Sequence, residues 1–280
     1  IVVAGAHRHG RHVRRTLQQP AKLRRRHRAT LWIGMHARRE AERMAGALRS
    51  TRAGPQQSQL ERALRGQRVD QVVVSTDDPE IAGIARQWGA EAVVRPAEIS
   101  GDEASSESAL LDCLDQIEHG GRSLPELLVF LQCTSPLTSA GDIDATVEAL
   151  LTNEADSALA VTDFHYYLWR EGVGGTAEGV NHDPTVRLRR QEQLPNHLES
   201  GAVYVMRTAG FRAAGHRFFG KTVFHCMPRE RCWEIDDPVD LEVAEVLLRR
   251  QHARSFRSIV ADNCREQRRF LSSASRQELN

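Results

Sequence analysis

Residues 72–107 read VVVSTDDPEIAGIARQWGAEAVVRPAEISGDEASSE. The apolar run Val72–Val74 stops at Ser75-Thr76-Asp77-Asp78, and Pro79 opens a segment whose apolar positions, Ile81, Ile84, Ala85 and Trp88, follow helical spacing. A second short strand, Ala92–Val94, ends at Arg95-Pro96. The pattern is strand, polar loop, helix, strand, with hydroxyls, carboxylates and a guanidinium where the strands end. Open α/β sheets bind ligands at the carboxyl ends of their strands.

Outward from this stretch the alternation continues. Leu31–Met35 reads as a first strand, and 38–64 is mostly helical in propensity, broken by a turn at Gly54-Pro55. Ser105–Ile117 places Ala109, Leu110, Cys113, Leu114 and Ile117 on one helical face. Leu127–Leu131 is a continuous apolar run, the mark of a strand covered on both faces, and it ends in Gln132-Cys133-Thr134-Ser135-Pro136. A helix over Asp142–Leu151 and a strand over Ser157–Val161 follow. Residues 162–200 are rich in Gly, His and Arg, have weak period, and read as an insertion or flap. Gly201–Met206 and Thr222–Cys226 are further strands, and Val239–Leu248 is a closing helix. The expected fold is α/β: a doubly wound, largely parallel but mixed sheet.

The net charge of +1 hides an asymmetry. Residues 1–29 hold nine of the 38 Lys and Arg and none of the 37 Asp and Glu, which leaves residues 30–280 at a net of −8. The basic head has no interleaved aromatic and no motif, so neither a nucleic-acid partner nor a membrane is expected. It reads as a disordered leader or as sequence outside the fold, and 251–280 as a polar tail, leaving one domain over 30–250. The chain begins with Ile1, as a fragment or an unstarted reading frame would. No run approaches the ~18 apolar residues of a membrane helix. Five cysteines without CxxC or zinc spacing fit a reducing cytosol, and Cys133 reads as a packing residue.

Trp233-Glu234-Ile235-Asp236-Asp237 is the second informative cluster. On an extended segment Glu234 and Asp236 share a face, and two carboxylates there suit Mg²⁺. Asp237-Pro238 also reads as the cap of the following helix. Asp78-Pro79, and Ser105 or Ser106, read equally as helix caps.

Taken in order, VSTDDPEIAGIARQWGAEAVVRPAEISGDEASS, FLQCTSPLT, RQEQLPNHLESGAVY, RFFG and WEIDDPVDLEVAE resemble the motifs of the acylneuraminate cytidylyltransferases across roughly 30–250. The resemblance implies transfer of CMP from CTP to a sialic acid or related nonulosonic acid in the cytoplasm, with Mg²⁺, in a homodimer whose insertion reaches the partner. It implies a nucleotide site at Ser75, Asp77, Arg95, Ala104 and Ser106. It implies a sugar site at Gln132, Arg190, Tyr204, Phe218 and Phe219, with Arg190 on the sugar carboxylate, and metal ligands at Glu234 and Asp236. Legionaminic, pseudaminic and deoxyoctulosonic acids are the alternative substrates.

The chain departs from the family where its phosphate loop belongs. Arg39-Glu40-Ala41-Glu42 replaces a Gly-Gly-Ser-Lys core, Ala45 replaces a proline, and the Lys-Asn pair near Ala47 is missing. Phosphate cradles use small residues and cations, whereas Glu40 and Glu42 repel a triphosphate. Arg38 is the one remaining candidate for a catalytic cation of that loop. Cys133, Thr138 and Ser200 stand where the family has Pro, Arg and Asn. Local frameshifts or lost selection over 39–47 and 1–29 would explain the pattern, with a catalytically impaired relic as the alternative; an intact gene reading of those residues overturns the frameshift.

Overall fold

The computed structural model describes residues 29–34 at the level of backbone, together with 63, 65–101 and 103–251. Arg38, the 39–47 loop, residues 1–28 and 252–280 lie outside the described residues. The chain divides into two compact units, one ending at Glu234 and one starting at Ile235.

The first unit is built on a seven-stranded sheet. Its strands are β1 (Ala29–Gly34), β2 (Gln71–Thr76), β3 (Glu91–Val94), β4 (Leu127–Gln132), β5 (Ser157–Phe164), β8 (Asn196–Arg207) and β9 (Thr222–Cys226), in the order β3-β2-β1-β4-β8-β5-β9. Only β8 runs against its neighbours; β1, β2, β3 and β4 are mutually parallel. The mixed, mostly parallel sheet expected from the alternation is therefore the one observed. Leu127–Leu131 of β4 are all buried, as a strand covered on both faces must be.

Helices pack beside it because their apolar stripes match. In α1 (Pro79–Gln87) the Asp78 carboxylate accepts from the N–H groups of Glu80 and Ile81, and Pro79 occupies the first turn. In α2 (Ser106–His119) Ser105 is the N-cap, and Leu110, Cys113, Leu114 and Ile117 pack in one cluster with Phe130, Tyr204, Met206 and Phe211. Then α3 (Ala140–Thr152) starts with a reciprocal capping box between Ser139 and Asp142, and α4 (Thr208–Ala214) follows β8.

Asp142 is 1% exposed and does a second job. Arg231 donates to both of its oxygens, at 2.8 and 2.7 Å. Burial alone would raise the carboxyl, but hydrogen bonds from Arg231 and Ser139 outweigh it and hold Asp142 below the usual carboxylate range. Its contribution to stability is complete above the unfolded carboxylate pKa of about 4 and is lost as pH falls through the lower folded value. Urea midpoints should show Asp142→Asn clearly less stable than wild type at pH 6, with the gap narrowing below about pH 4. A gap independent of pH would overturn this.

The insertion is shorter than the sequence reading gave. Rather than ending at Val161, β5 runs to Phe164, and β8 begins at Asn196 rather than Gly201, with Phe164 opposite Asn196. Residues 196–199 of β8 lack the buried pattern of 200–206, so this arm carries no apolar period. The excursion between them holds a small hairpin, β6 (Trp169–Glu171) with β7 (Ala177–Gly179). Its surface exposes Tyr166, Leu168, Trp169, Val173 and Leu194.

The second unit holds a helix, α5, over 238–251. Asp237 caps it, accepting from the N–H groups of Val239 and Asp240 at 2.7 and 3.0 Å. Among the described residues no helix is long and apolar enough to cross a membrane.

Candidate functional site

Register fixes what the sheet edge offers. Gly34 of β1 lies opposite Ser75 on one side and Gln132 on the other, and Ser75 lies opposite Val93. The carboxyl ends of β2, β1 and β4 are therefore level, and Ser75 and Gln132 are two strand spacings, roughly 10 Å, apart. Along β8, Leu131↔Val203 is the last pairing with β4, which brings Gly201 to the same edge.

At the β2–β3 end, Arg95 is 3% exposed. Its Nε donates to Ser75 Oγ at 3.2 Å and an Nη to the Ser75 carbonyl at 2.8 Å. Burial lowers its pKa, with Asp77 and Asp112 acting in the opposite direction, and a guanidinium stays charged through such a shift. Asp77 is exposed beside it. Ala104 and Ser106 are half-buried at the start of α2. Here stands a cation pinned to a buried hydroxyl at a strand end.

At the β4–β8 end, Thr134 Oγ1 donates to Glu234 Oε1 at 3.1 Å. Gly201 has φ +62°, and a Cβ there would come within 2.5 Å of the same oxygen. Glycine is needed twice: for the left-handed conformation and for the room. The hydrogen-bonded, half-buried carboxylate is a hard oxygen donor of the kind Mg²⁺ takes. Asp236 belongs to the second unit, where its backbone N–H donates to Asp240 at 3.1 Å.

Between these strands lies an aromatic floor. Phe130 and Tyr204 stack at 5.7 Å, and Phe218 meets Tyr204 edge-on at 6.0 Å. Phe219 lies over Gly210, where a Cβ would meet the ring at 2.1 Å. The Tyr204 hydroxyl donates to Glu199, and burial followed by that neighbour pushes its pKa well above the usual tyrosine range. The guanidinium of Arg217 stands 4.6 Å from the Tyr204 ring and 5.1 Å from that of Phe130, and pairs with Glu107 at 2.7 Å. Burial works against both charges, yet the hydrogen bond between them prevails, lowering the Glu107 pKa and raising that of Arg217.

Of the sequence-predicted residues, Ser75 and Arg95 touch directly, as do Tyr204 and Phe218. Gln132 ends β4 at the same edge. Arg190 is exposed in a short 3-10 turn, Arg190–Glu192, on the excursion. Ser200 is buried, donates to the Ala160 carbonyl at 2.7 Å and accepts from the Ala202 N–H at 3.3 Å, spanning the bulge between β5 and β8. Cys133 is buried, as a packing residue would be. Glu107, Thr134, Glu199 and Arg217 are the neighbours that sequence reasoning missed. The partners of the Glu107–Arg217 pair stand 110 residues apart, and nothing local marks either.

A family model described as cytidylyltransferase matches residues 57–219. An N-acylneuraminate cytidylyltransferase of Oncorhynchus mykiss is 30% identical over 191 residues, covering 66% of this chain and 42% of that protein. A pseudaminic acid cytidylyltransferase of Campylobacter jejuni is 26% identical over 200 residues, covering 70% of this chain and 86% of that protein. The chain thus spans about two fifths of the fish relative's length. Among solved structures, a CMP:2-keto-3-deoxy-manno-octonic acid synthetase complexed with CTP superposes with a TM-score of 0.54 at 15% identity, over 79% of this chain and 98% of that one. A 4-diphosphocytidyl-2C-methyl-D-erythritol synthase of Anaerococcus prevotii gives 0.55 at 11%, over 78% and 97%. At these identities the two structures speak for the fold alone.

Proposed function

Because this chain belongs to the cytidylyltransferase family, we propose that it transfers CMP from CTP to the anomeric hydroxyl of a sialic acid or a related nonulosonic acid. The observation that carries this reading is the level sheet edge, with the Arg95–Ser75 pair at one end and the Glu234–Thr134 pair at the other. Arg95 and Ser75, buried against each other, would shape and charge the base end of the edge, where the more accessible Asp77, Ala104 and Ser106 would meet the base. Gln132, Tyr204, Phe218 and Phe219 offer the sugar an apolar wall with polar rims. Glu234 would hold Mg²⁺, and Asp236, two residues on, is the second candidate carboxylate by its spacing. Mg²⁺, when bound, would neutralise charge on the triphosphate.

The sugar hydroxyl attacks the α-phosphorus in line as the bond to the pyrophosphate oxygen breaks. The hydroxyl proton passes to solvent, and CMP-sugar and pyrophosphate are the products. This chemistry depends on positioning and charge neutralisation more than on covalent steps. Arg38 is the remaining candidate for a phosphate-loop cation. The exposed apolar surface of the excursion, including Trp169, Val173 and Leu194, is our candidate for a homodimer contact in the cytoplasm, with Arg190 on the same excursion free to meet a sugar carboxylate; a chain sedimenting as a monomer overturns it.

A second reading rests on Glu40 and Glu42 in the phosphate loop: a relic that binds nucleotide without turning it over. One assay separates the two. Purified chain, CTP and Mg²⁺ are incubated with N-acetylneuraminic, legionaminic, pseudaminic and deoxyoctulosonic acids, while pyrophosphate and CMP-sugar are followed. Turnover with at least one acid is expected. CMP binding without turnover establishes the relic, and neither binding nor turnover overturns both.

A further inference from the structure

Three strands bring together a second set of ligand atoms on the outer part of the sheet. Asp163 of β5 and His197 of β8 are direct cross-strand partners. On the other side of β5, Cys226 of the edge strand β9 pairs with Val161, two residues before Asp163 and therefore on the same face. The Asp163 carboxylate, the His197 ring and the Cys226 sulfur have ligand atoms that all lie within 4.8 Å of one another. His197 Nδ1 is 3.6 Å from Asp163 Oδ1, and the Cys226 thiol donates to that same oxygen at 3.4 Å.

The His197–Asp163 and Cys226–Asp163 separations, 3.6 and 3.4 Å, are close to those between ligands of one ion. With bonds of about 2.0 Å to nitrogen and oxygen and about 2.3 Å to sulfur, a tetrahedral zinc spaces its ligand atoms by roughly 3.3–3.5 Å. The donor set, one imidazole, one carboxylate and one thiol, is chemically unlike the all-oxygen set that Mg²⁺ prefers and suits a borderline divalent ion. The Phe224 ring lies 4.4 Å from the His197 ring and limits its swing. All three residues are accessible to an ion from solvent.

We propose that Asp163, His197 and Cys226 form a three-ligand site for Zn²⁺ or a similar borderline divalent cation, with a fourth position open to water. The ion clips the edge strand β9 to β8 across β5. Binding requires the thiolate, so the Cys226 proton leaves for solvent as the metal–sulfur bond forms. Ligand protonation competes with the ion, so affinity falls as pH is lowered. An ion bound only by the folded chain also raises its melting temperature.

The test uses the reduced full chain, stripped with a chelator and titrated with Co²⁺ in place of zinc. One equivalent should produce a near-ultraviolet sulfur-to-cobalt band and the visible bands of a four-coordinate site, both discharged by Zn²⁺. Cys226→Ser should abolish the near-ultraviolet band, His197→Asn should weaken binding at least tenfold, and Cys232→Ser should change neither. Without metal, Cys226→Ser and His197→Asn should melt within a few degrees of wild type, since both residues are exposed. Absence of the band in wild type, or its persistence in Cys226→Ser, overturns the proposal, the second outcome placing the ion elsewhere. Neither result depends on cytidylyl transfer.

Discussion

Arg217→Met is expected to lower the melting temperature by roughly 6–20 °C. The pair it breaks joins α2 to the segment after α4, and the Arg217 and Glu107 side chains are 15% and 14% exposed. Removing one member of a buried ion pair costs about 3–5 kcal/mol, because the survivor keeps its charge without its partner. For a folded region of this size each kcal/mol moves the midpoint by about 2–4 °C. The guanidinium also lies against the Tyr204 and Phe130 rings, so its removal loosens the aromatic floor as well. Methionine keeps much of the packed volume, which confines the loss mainly to the charge. The same reasoning gives a signed second outcome. Glu107→Leu added to Arg217→Met removes the orphaned carboxylate and should recover a substantial part of the loss, since buried pairs replaced by apolar groups are often near neutral. Melting curves of the single and double variants decide it: a double variant as unstable as the sum of both singles would show that the two residues do not act as a pair.

That pair shows where sequence reading stops. The fold was legible because its signals are local. Leu127–Leu131 announces a strand covered on both faces, Asp78-Pro79, Ser105 and Asp237 each cap the helix that follows, and the apolar stripe of 109–117 is the stripe that packs on Phe130 and Phe211. The polar ends of β2 and β4 were legible for the same reason, since each lies within a few residues of its strand. What was not legible depends on contacts across long separations. Arg217 meets Glu107, Arg231 meets Asp142 and Cys226 meets Asp163 only once the sheet order is set. Cysteine spacing alone gave no zinc pattern, because the three ligands sit on three strands. The continuation of β5 to Phe164 and of β8 back to Asn196 was missed because an arm outside the core carries no apolar alternation. Ser200 departs from the family asparagine, and its hydroxyl closes the bulge locally by bonding Ala160 and Ala202.

Glu234→Gln is expected to reduce CMP transfer about 10²–10³-fold, the loss that follows when one charge-stabilising group is taken from a preorganised site. Glutamine is nearly isosteric, and its carbonyl oxygen can still accept from the Thr134 hydroxyl that now donates to Oε1 at 3.1 Å. The space above Gly201, which exists because that residue has no Cβ at φ +62°, is filled as before. Packing is therefore retained, and the melting temperature should stay within a few degrees of wild type. What disappears is one negative charge at the β4–β8 end of the sheet edge, where the metal and the triphosphate would meet. The loss should appear in kcat and in the Mg²⁺ concentration needed for half-maximal rate, while CMP affinity, proposed to rest on the residues around Ser75 and Arg95 at the other end of the edge, should change little. Arg95→Leu reverses this pattern and weakens CMP. A Glu234→Gln variant that keeps its rate within about threefold of wild type at limiting Mg²⁺ would remove Glu234 from the metal site.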